Sequence, residues 1–135
     1  MGQQQLLLII LGVIVVGIAV AVGITMFQDN AVSANRDSVT NDLVNLASRA
    51  QQFYRRPTAL GGGGNSFAGI TANAAGLAKL TSKASNANGT YSVLTAGTTT
   101  TVVLKGLGVE KGTDGNPINI QMSVFSDSTY VNQTN

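Results

Sequence analysis

Eight basic and six acidic side chains give this chain of 135 residues a formal net charge of +2. So few charges form no basic stripe for nucleic acid, and no nucleic-acid partner is predicted. The absence of cysteine and histidine excludes disulfides, thiolate or imidazole metal sites and the commonest catalytic bases, so neither enzymatic activity nor a cofactor is expected.

The first predicted element is an apolar helix, because residues 6–27 contain no charged side chain. Roughly 20 residues suffice to cross a bilayer. A signal peptide begins with positive charge and has an apolar stretch of only about 7–15 residues, whereas the first charge here is Asp29. A single-pass anchor usually carries Lys or Arg beside one end, and neither flank has one. The segment therefore fits neither class well.

Small residues interrupt this apolar segment. Gly17 with Ala21, and Ala19 with Gly23, are pairs four residues apart, which lets two helices approach closely in lipid. Glycines, including Gly12, cost about 1 kcal/mol each in helix propensity relative to alanine. Part of the helix can therefore unwind where protein replaces lipid around it. A plain anchor with incidental glycines explains the composition equally well.

An amphipathic pattern continues over residues 28–56. Apolar residues recur on one side of a helix at Ala31, Ala34, Val39, Leu43, Leu46, Ala47, Ala50 and Phe53. Pro57 ends the pattern, and the glycines at 61–64 predict a flexible connection. One helix is thus predicted over about residues 5–55. Many Ser, Thr, Asn and Asp side chains weaken its outer half, so packing must stabilise it.

Residues 57–135, called the head below, are rich in Gly and Thr and predict strands and loops. Segments 90–94, 98–104 and 118–125 are β-prone, and a tight turn at 95–97 joins the first two. A short helix is predicted near residues 74–83. The predicted fold class is α+β, with a long N-terminal helix packed on a small antiparallel sheet of about three strands.

Two short motifs in the head have simple structural interpretations. The segment "GLGVEKG" at 106–112 lacks the spacing of a dinucleotide-binding fingerprint and predicts a loop. Glu110, Asp114 and Asn116 can be grouped as calcium ligands, but "DGNP" is more simply a turn. No metal site is predicted.

Several polar residues are candidates for contacts or modification. Charges on the outer half of the helix lack favourable partners at four-residue spacing. They are predicted either to pair between copies of the chain or to be solvated: Asp29, Arg36, Asp37, Asp42 and Arg49, with Arg55 and Arg56 beyond them. Asn88 and Asn132 begin Asn-x-Thr sequences, the pattern of N-glycosylation. Ser and Thr are alternative sites for O-linked sugars.

The order of these features resembles that of the mature type IV pilins. An apolar helix starts within a few residues of the N-terminus, an amphipathic continuation follows, and a glycine-rich connection leads to a small sheet. The resemblance is strongest over residues 1–56. It implies cleavage of a leader by a prepilin peptidase, methylation of the new N-terminus, storage in the membrane and polymerisation by the pilus assembly machinery. It also implies local melting of the helix among Gly12, Gly17 and Gly23.

The N-terminus departs from the bacterial pilin pattern. That pattern has glutamate at the fifth mature position, where its carboxylate neutralises the terminal amine of a neighbouring subunit; this chain has Gln5. If Met1 is the mature first residue, amine recognition depends on uncharged contacts from Gln3, Gln4 and Gln5; the alternative is that the mature numbering is offset by a residue or two. The helix-kinking proline and the paired cysteines of many bacterial pilins are also missing. Bacterial and archaeal sources both stay open.

The resemblance implies three segments: a membrane or filament-core helix at 1–27, its amphipathic continuation at 28–56, and the head. The expected function is that of a structural subunit, located first in the cytoplasmic membrane and then in an extracellular filament, with copies of itself and membrane lipid as partners. One alternative is a minor pilin or a secretion pseudopilin. Another is a single-pass membrane protein with a small binding domain that never polymerises.

Overall fold

The computed structural model of the protein describes residues 2–135. In chain order it contains α1 (Gly2–Arg55), a 3-10 turn (Thr58–Leu60), α2 (Ala74–Ala78), β1 (Gly89–Thr95), β2 (Thr101–Lys111), β3 (Pro117–Phe125) and β4 (Thr129–Gln133). The predicted α+β class is confirmed. The sheet has four strands, where about three were predicted.

Helix α1 has two parts that differ in burial. Its 54 residues span about 81 Å at 1.5 Å per residue. All of its buried side chains lie in the second half and fall on one side of the helix: Asn35, Val39, Leu43, Leu46, Ala47, Ala50 and Phe53. Residues 2–30 are exposed throughout. The first half of the helix therefore projects away from the head.

The glycine-rich connection caps α1, which corrects the prediction of a flexible linker. The backbone N–H groups of Gly63 and Gly64 donate to the carbonyls of Phe53 (2.7 Å) and Arg56 (2.9 Å). Glycine is required because a Cβ at Gly63 would lie 1.9 Å from the carbonyl oxygen of Ser66. Two of the last carbonyls of α1, which have no partner within a helix, are thus satisfied by the chain that follows: that of Phe53 by Gly63 and that of Tyr54 by the backbone N–H of Asn65 at 2.7 Å.

The four strands form an antiparallel meander in the order β1-β2-β3-β4. Alternate residues of the two central strands face α1 and are fully buried: Val102, Leu104, Ile118, Ile120, Met122 and Val124. Burying a side chain of this size contributes about 1.5–3 kcal/mol. The outer half of α1 and the head consequently share one hydrophobic core, which attaches the helix to the sheet.

Strand β2 continues through the segment predicted as a loop. The sequence of residues 106–112 predicts a loop because glycine weakens a strand. In the structure, however, β2 extends to Lys111. Gly106 and Gly108 lie under α1, where a Cβ would come within 2.6 Å of Val39 Cγ1 and 2.2 Å of Asn35 Oδ1, respectively. These glycines let the helix approach the sheet, and their role depends on a contact that is distant in sequence.

Two other details of the head differ from the predictions. The turn predicted at 95–97 is a longer connection, because Gly97 donates its N–H to the carbonyl of Ile70 at 2.7 Å and is held away from β2. Strand β4 was not predicted, since "TYVNQ" is short and polar. It is an edge strand whose Val131 pairs with Met122 and packs against the core. Helix α2 is shorter than the predicted 74–83.

Candidate functional site

The apolar half of α1 exposes a long row of large hydrophobic side chains to solvent. Its Leu, Ile and Val side chains between Leu6 and Ile24 are 51–67% exposed, and Phe27 is 80% exposed. By length and composition α1 can cross a membrane, so the helix is compatible with membrane insertion. Monomeric soluble proteins rarely expose so large a continuous apolar surface.

Small residues form two stripes on this exposed helix. At about 100° per residue, Gly12, Ala19 and Gly23 lie along one side, and Gly17 with Ala21 lie about 140–180° away. A Cβ at any of these three glycines would meet nothing within 4 Å in the single chain. The helix can therefore accept a close helical neighbour on each of two sides.

The residues predicted to take part in assembly at the N-terminus lie at the start of this exposed half of α1. Met1 lies outside the described residues. Gln3, Gln4 and Gln5 form the first turns of α1 and are exposed. Successive positions on a helix point about 100° apart, so the three amides spread over an arc of about 200° around the helix. They can accept or donate hydrogen bonds to another chain but carry no charge.

A group of polar side chains attaches α1 to the head; we call it the polar latch (Asn35, Asp42, Asn86, Asn88 and Tyr91). Asn35 Nδ2 donates to the carbonyl of Asn88 at 2.8 Å, and its Oδ1 accepts the backbone N–H of Glu110 at 3.2 Å. Asp42, two helical turns further on, accepts from Asn86 Nδ2, Asn88 Nδ2 and the Tyr91 hydroxyl through its Oδ2 atom. The latch fixes the turn before β1 against the helix.

The members of the latch other than Asp42 and Asn88 were missed as candidates. The available signal was Asn35, a polar residue at a position of the Asn35-Val39-Leu43 face where the pattern calls for an apolar one. A buried amide needs hydrogen-bond partners, and these come from the head. The residues from the head could be identified only once the fold had brought them to the helix.

The latch shifts the pKa values of two of its members. Burial by itself raises the pKa of Asp42, but the hydrogen bonds from Asn88, Tyr91 and Asn86 together hold it below the usual 3.8. Burial and the Asp42 carboxylate raise the pKa of Tyr91 well above its ordinary value. At neutral pH the pair is therefore a carboxylate that accepts from a neutral hydroxyl.

This shift predicts a pH dependence of stability. The pKa of Asp42 is lower in the folded chain than in the unfolded chain, so its ionisation stabilises the fold above about pH 4 and this contribution is lost as the pH falls through the folded value. In chemical denaturation of the chain in detergent, wild type is expected to exceed Asp42→Asn in free energy of unfolding at about pH 6, and the difference should shrink in acid. A difference that stays constant to about pH 2 would contradict the assignment.

The other predicted charges and sequons occupy different environments. Arg49 donates to the carbonyl of Leu80 at 3.0 Å, whereas Asp29 and Asp37 are exposed and Arg36 is half-buried. The Nδ2 atom of Asn88, which a glycan would modify, donates to Asp42 at 2.9 Å. Asn132 is exposed on β4. Of the two sequons, its amide is thus the more accessible to a modifying enzyme.

The "DGNP" segment forms a turn between β2 and β3. Asp114 accepts the backbone N–H of Asn116 at 3.0 Å and the Asn116 side-chain amide at 2.9 Å, which lowers the pKa of Asp114. The Asp114 carboxylate therefore stabilises the turn. Within residues 2–135, no group of three or more His, Cys, Asp or Glu side chains is placed to hold a metal ion.

A polar groove of about 510 Å³ lies between α1 and the segment before β1. Asp42, Arg49, Lys83 and Tyr91 are among the residues that line it. The groove has side chains of both charge signs and is open to solvent. Within the groove the Tyr91 hydroxyl donates a hydrogen bond to Asp42. Both groups are therefore already engaged in the polar latch.

Comparisons with known proteins return no matching family model, no matching curated protein and no matching solved structure. The arrangement of a long apolar N-terminal helix and a small antiparallel sheet is compatible with a pilin-like fold.

Proposed function

We propose that the chain is the structural subunit of an extracellular type IV pilus or pilus-like filament. The observation that carries the proposal is the exposed apolar half of α1, which continues into a helix packed on a folded head. This surface must be covered by lipid or by other helices, because exposure to water is costly. In the membrane, lipid covers it; in the filament, identical helices replace lipid.

The two stripes of small residues support an open polymer over a closed dimer. A helix with one such stripe pairs with one neighbour, whereas contacts on two sides allow each copy to join two others. Contacts between different surfaces of identical subunits generate helical filaments when the rotation does not close. Close packing at Gly12, Gly17 and Gly23 provides the attraction between helices, since lipid is as apolar as the helices themselves.

The resemblance to type IV pilins adds the steps around assembly. A prepilin peptidase prepares the N-terminus, the cytoplasmic membrane stores the subunit, and the pilus assembly machinery moves it into the filament. Methylation of the N-terminus and glycosylation of the exposed head belong to the same proposal. Catalysis has no part in it.

Electron microscopy of material sheared from cells that produce the chain tests this function. Abundant long fibres that contain this chain as their main protein are expected. Short fibres confined beneath the surface would identify a minor pilin or a secretion pseudopilin instead. Cells without fibres, together with a purified chain that stays monomeric in detergent and after its removal in lipid, would identify a non-polymerising membrane protein.

A further inference from the structure

The charged side chains of residues 2–135 separate along the axis of α1. The lower end of the head lies beside Asn35, where this residue contacts the backbone of Glu110. The upper end lies beside Phe53, where Lys79 Nζ is 5.6 Å from the centroid of the Phe53 ring. Eighteen residues of helix separate these levels, or about 27 Å.

The two ends carry opposite excess charge. At and below the lower end, acidic residues exceed basic ones: Asp29, Asp37, Glu110 and Asp114 against Arg36 and Lys111. Toward the upper end the reverse holds: Arg49, Arg55, Arg56 and Lys79 against Asp127. All of these side chains except the half-buried Arg36 are exposed. Asp42, Lys83 and Lys105 lie between the two ends.

The opposite charges of the two ends attract each other only weakly within one copy of the chain. Exposed charges are screened beyond a Debye length of about 8 Å at physiological salt, and the ends are about 27 Å apart. A second copy placed head to tail brings an acidic lower end against a basic upper end at contact distance. The complementarity is therefore available only between copies.

We infer that the acidic lower end of one head docks onto the basic upper end of the next head along the filament. The inference rests on the proposed function and extends it by naming the surfaces that meet. Such a contact joins two different patches and leaves one of each unpaired at the ends of the polymer, as an open filament requires. It also requires all subunits to point the same way, as helices drawn from one membrane do.

The charges set the register of the filament, and the apolar helices drive its formation. Exposed ion pairs contribute little individually, but complementary patches align partners and repel wrong orientations. The expected signature is a filament whose stability falls as salt rises. A second signature is loss of assembly when either end is reversed in charge, with recovery when both are.

A charge-swap experiment tests the docking. The lower-end variant is Asp37→Arg with Glu110→Arg, and the upper-end variant is Arg55→Glu with Arg56→Glu. These side chains lie outside the core, so the variants should fold as wild type does, which circular dichroism in detergent checks. Each variant is expected to reduce the yield of sheared filaments about fivefold or more, and the chain that carries all four changes should recover most of the wild-type yield.

Lys105→Glu provides the matched control, because it reverses a charge between the two ends, on β2. It is expected to leave the filament yield within twofold of wild type. Wild-type filaments with undiminished yields in both end variants would overturn the docking and leave the proposed function standing. Failure of the four-change chain to recover, with each end variant impaired, would also overturn it. Absence of wild-type filaments would instead refute the proposed function.

Discussion

Replacing Val16 by arginine is expected to abolish filament formation and to deplete the chain from the membrane. Val16 is near the middle of the apolar segment and is 62% exposed in the single chain, so lipid or another helix must cover it. A charged residue at the centre of a membrane helix costs about 2.5–3.5 kcal/mol. In the filament the same charge would be buried among apolar helices without a partner, which is at least as unfavourable.

Membrane fractionation and counts of sheared filaments measure this effect. Val16→Leu is the matched control, because it keeps the position apolar and should retain both membrane insertion and filaments. Filaments from Val16→Arg at the wild-type level would show that the apolar half of α1 does not line the core of the assembly. Normal membrane insertion of that variant without filaments would separate storage from assembly.

Gly108→Val is expected to destabilise the fold by about 3 kcal/mol, at the upper end of the usual range for overpacking. A Cβ at Gly108 would lie 2.2 Å from Asn35 Oδ1 and 3.0 Å from Ile118 Cβ. The helix would have to move away from β2 or lose the hydrogen bonds of Asn35, and both outcomes weaken the attachment of α1 to the head. Chemical denaturation of the chain in detergent measures the loss.

Val109→Thr is the control for this substitution. Val109 is the next residue on β2 and is 61% exposed, so its replacement by another β-branched residue should change stability by less than about 0.5 kcal/mol. Equal stability of Gly108→Val and wild type would contradict the close approach of α1 to β2. Hydrogen exchange at the backbone amides of residues 107–111 would then show whether the strand itself is retained.

The long helix was predictable because its signals are local. The apolar run, the three-and-four spacing from Val39 to Phe53, and Pro57 all act through neighbours on the same helix. Most of the core face followed from the same spacing. The β-prone segments of β1 and β3 were also found, since alternation along a strand reports which side is buried.

The errors have a common cause in contacts between distant parts of the chain. When only neighbouring residues are considered, the glycines at 61–64 and at 106–108 predict flexible segments. In the structure the first group caps α1, and the second lies beneath it. Strand β4 carries too weak a pattern to be recognised alone and forms because β3 offers it a hydrogen-bonding edge. Asp42, interpreted as a charge for another copy or for solvent, has its partners in the head of its own chain.

The sequence by itself determined that this protein has a continuous apolar helix with small residues spaced for helix contacts, because composition and helical periodicity need no tertiary information. Only the tertiary structure decided which glycines lie beneath the outer helix, which polar residues form the latch, and how the charges divide between the two ends of the head. The physical reason is that these features depend on groups far apart in the chain, 44 to 75 residues apart for the contacts of the latch, whose proximity is created by the shared core.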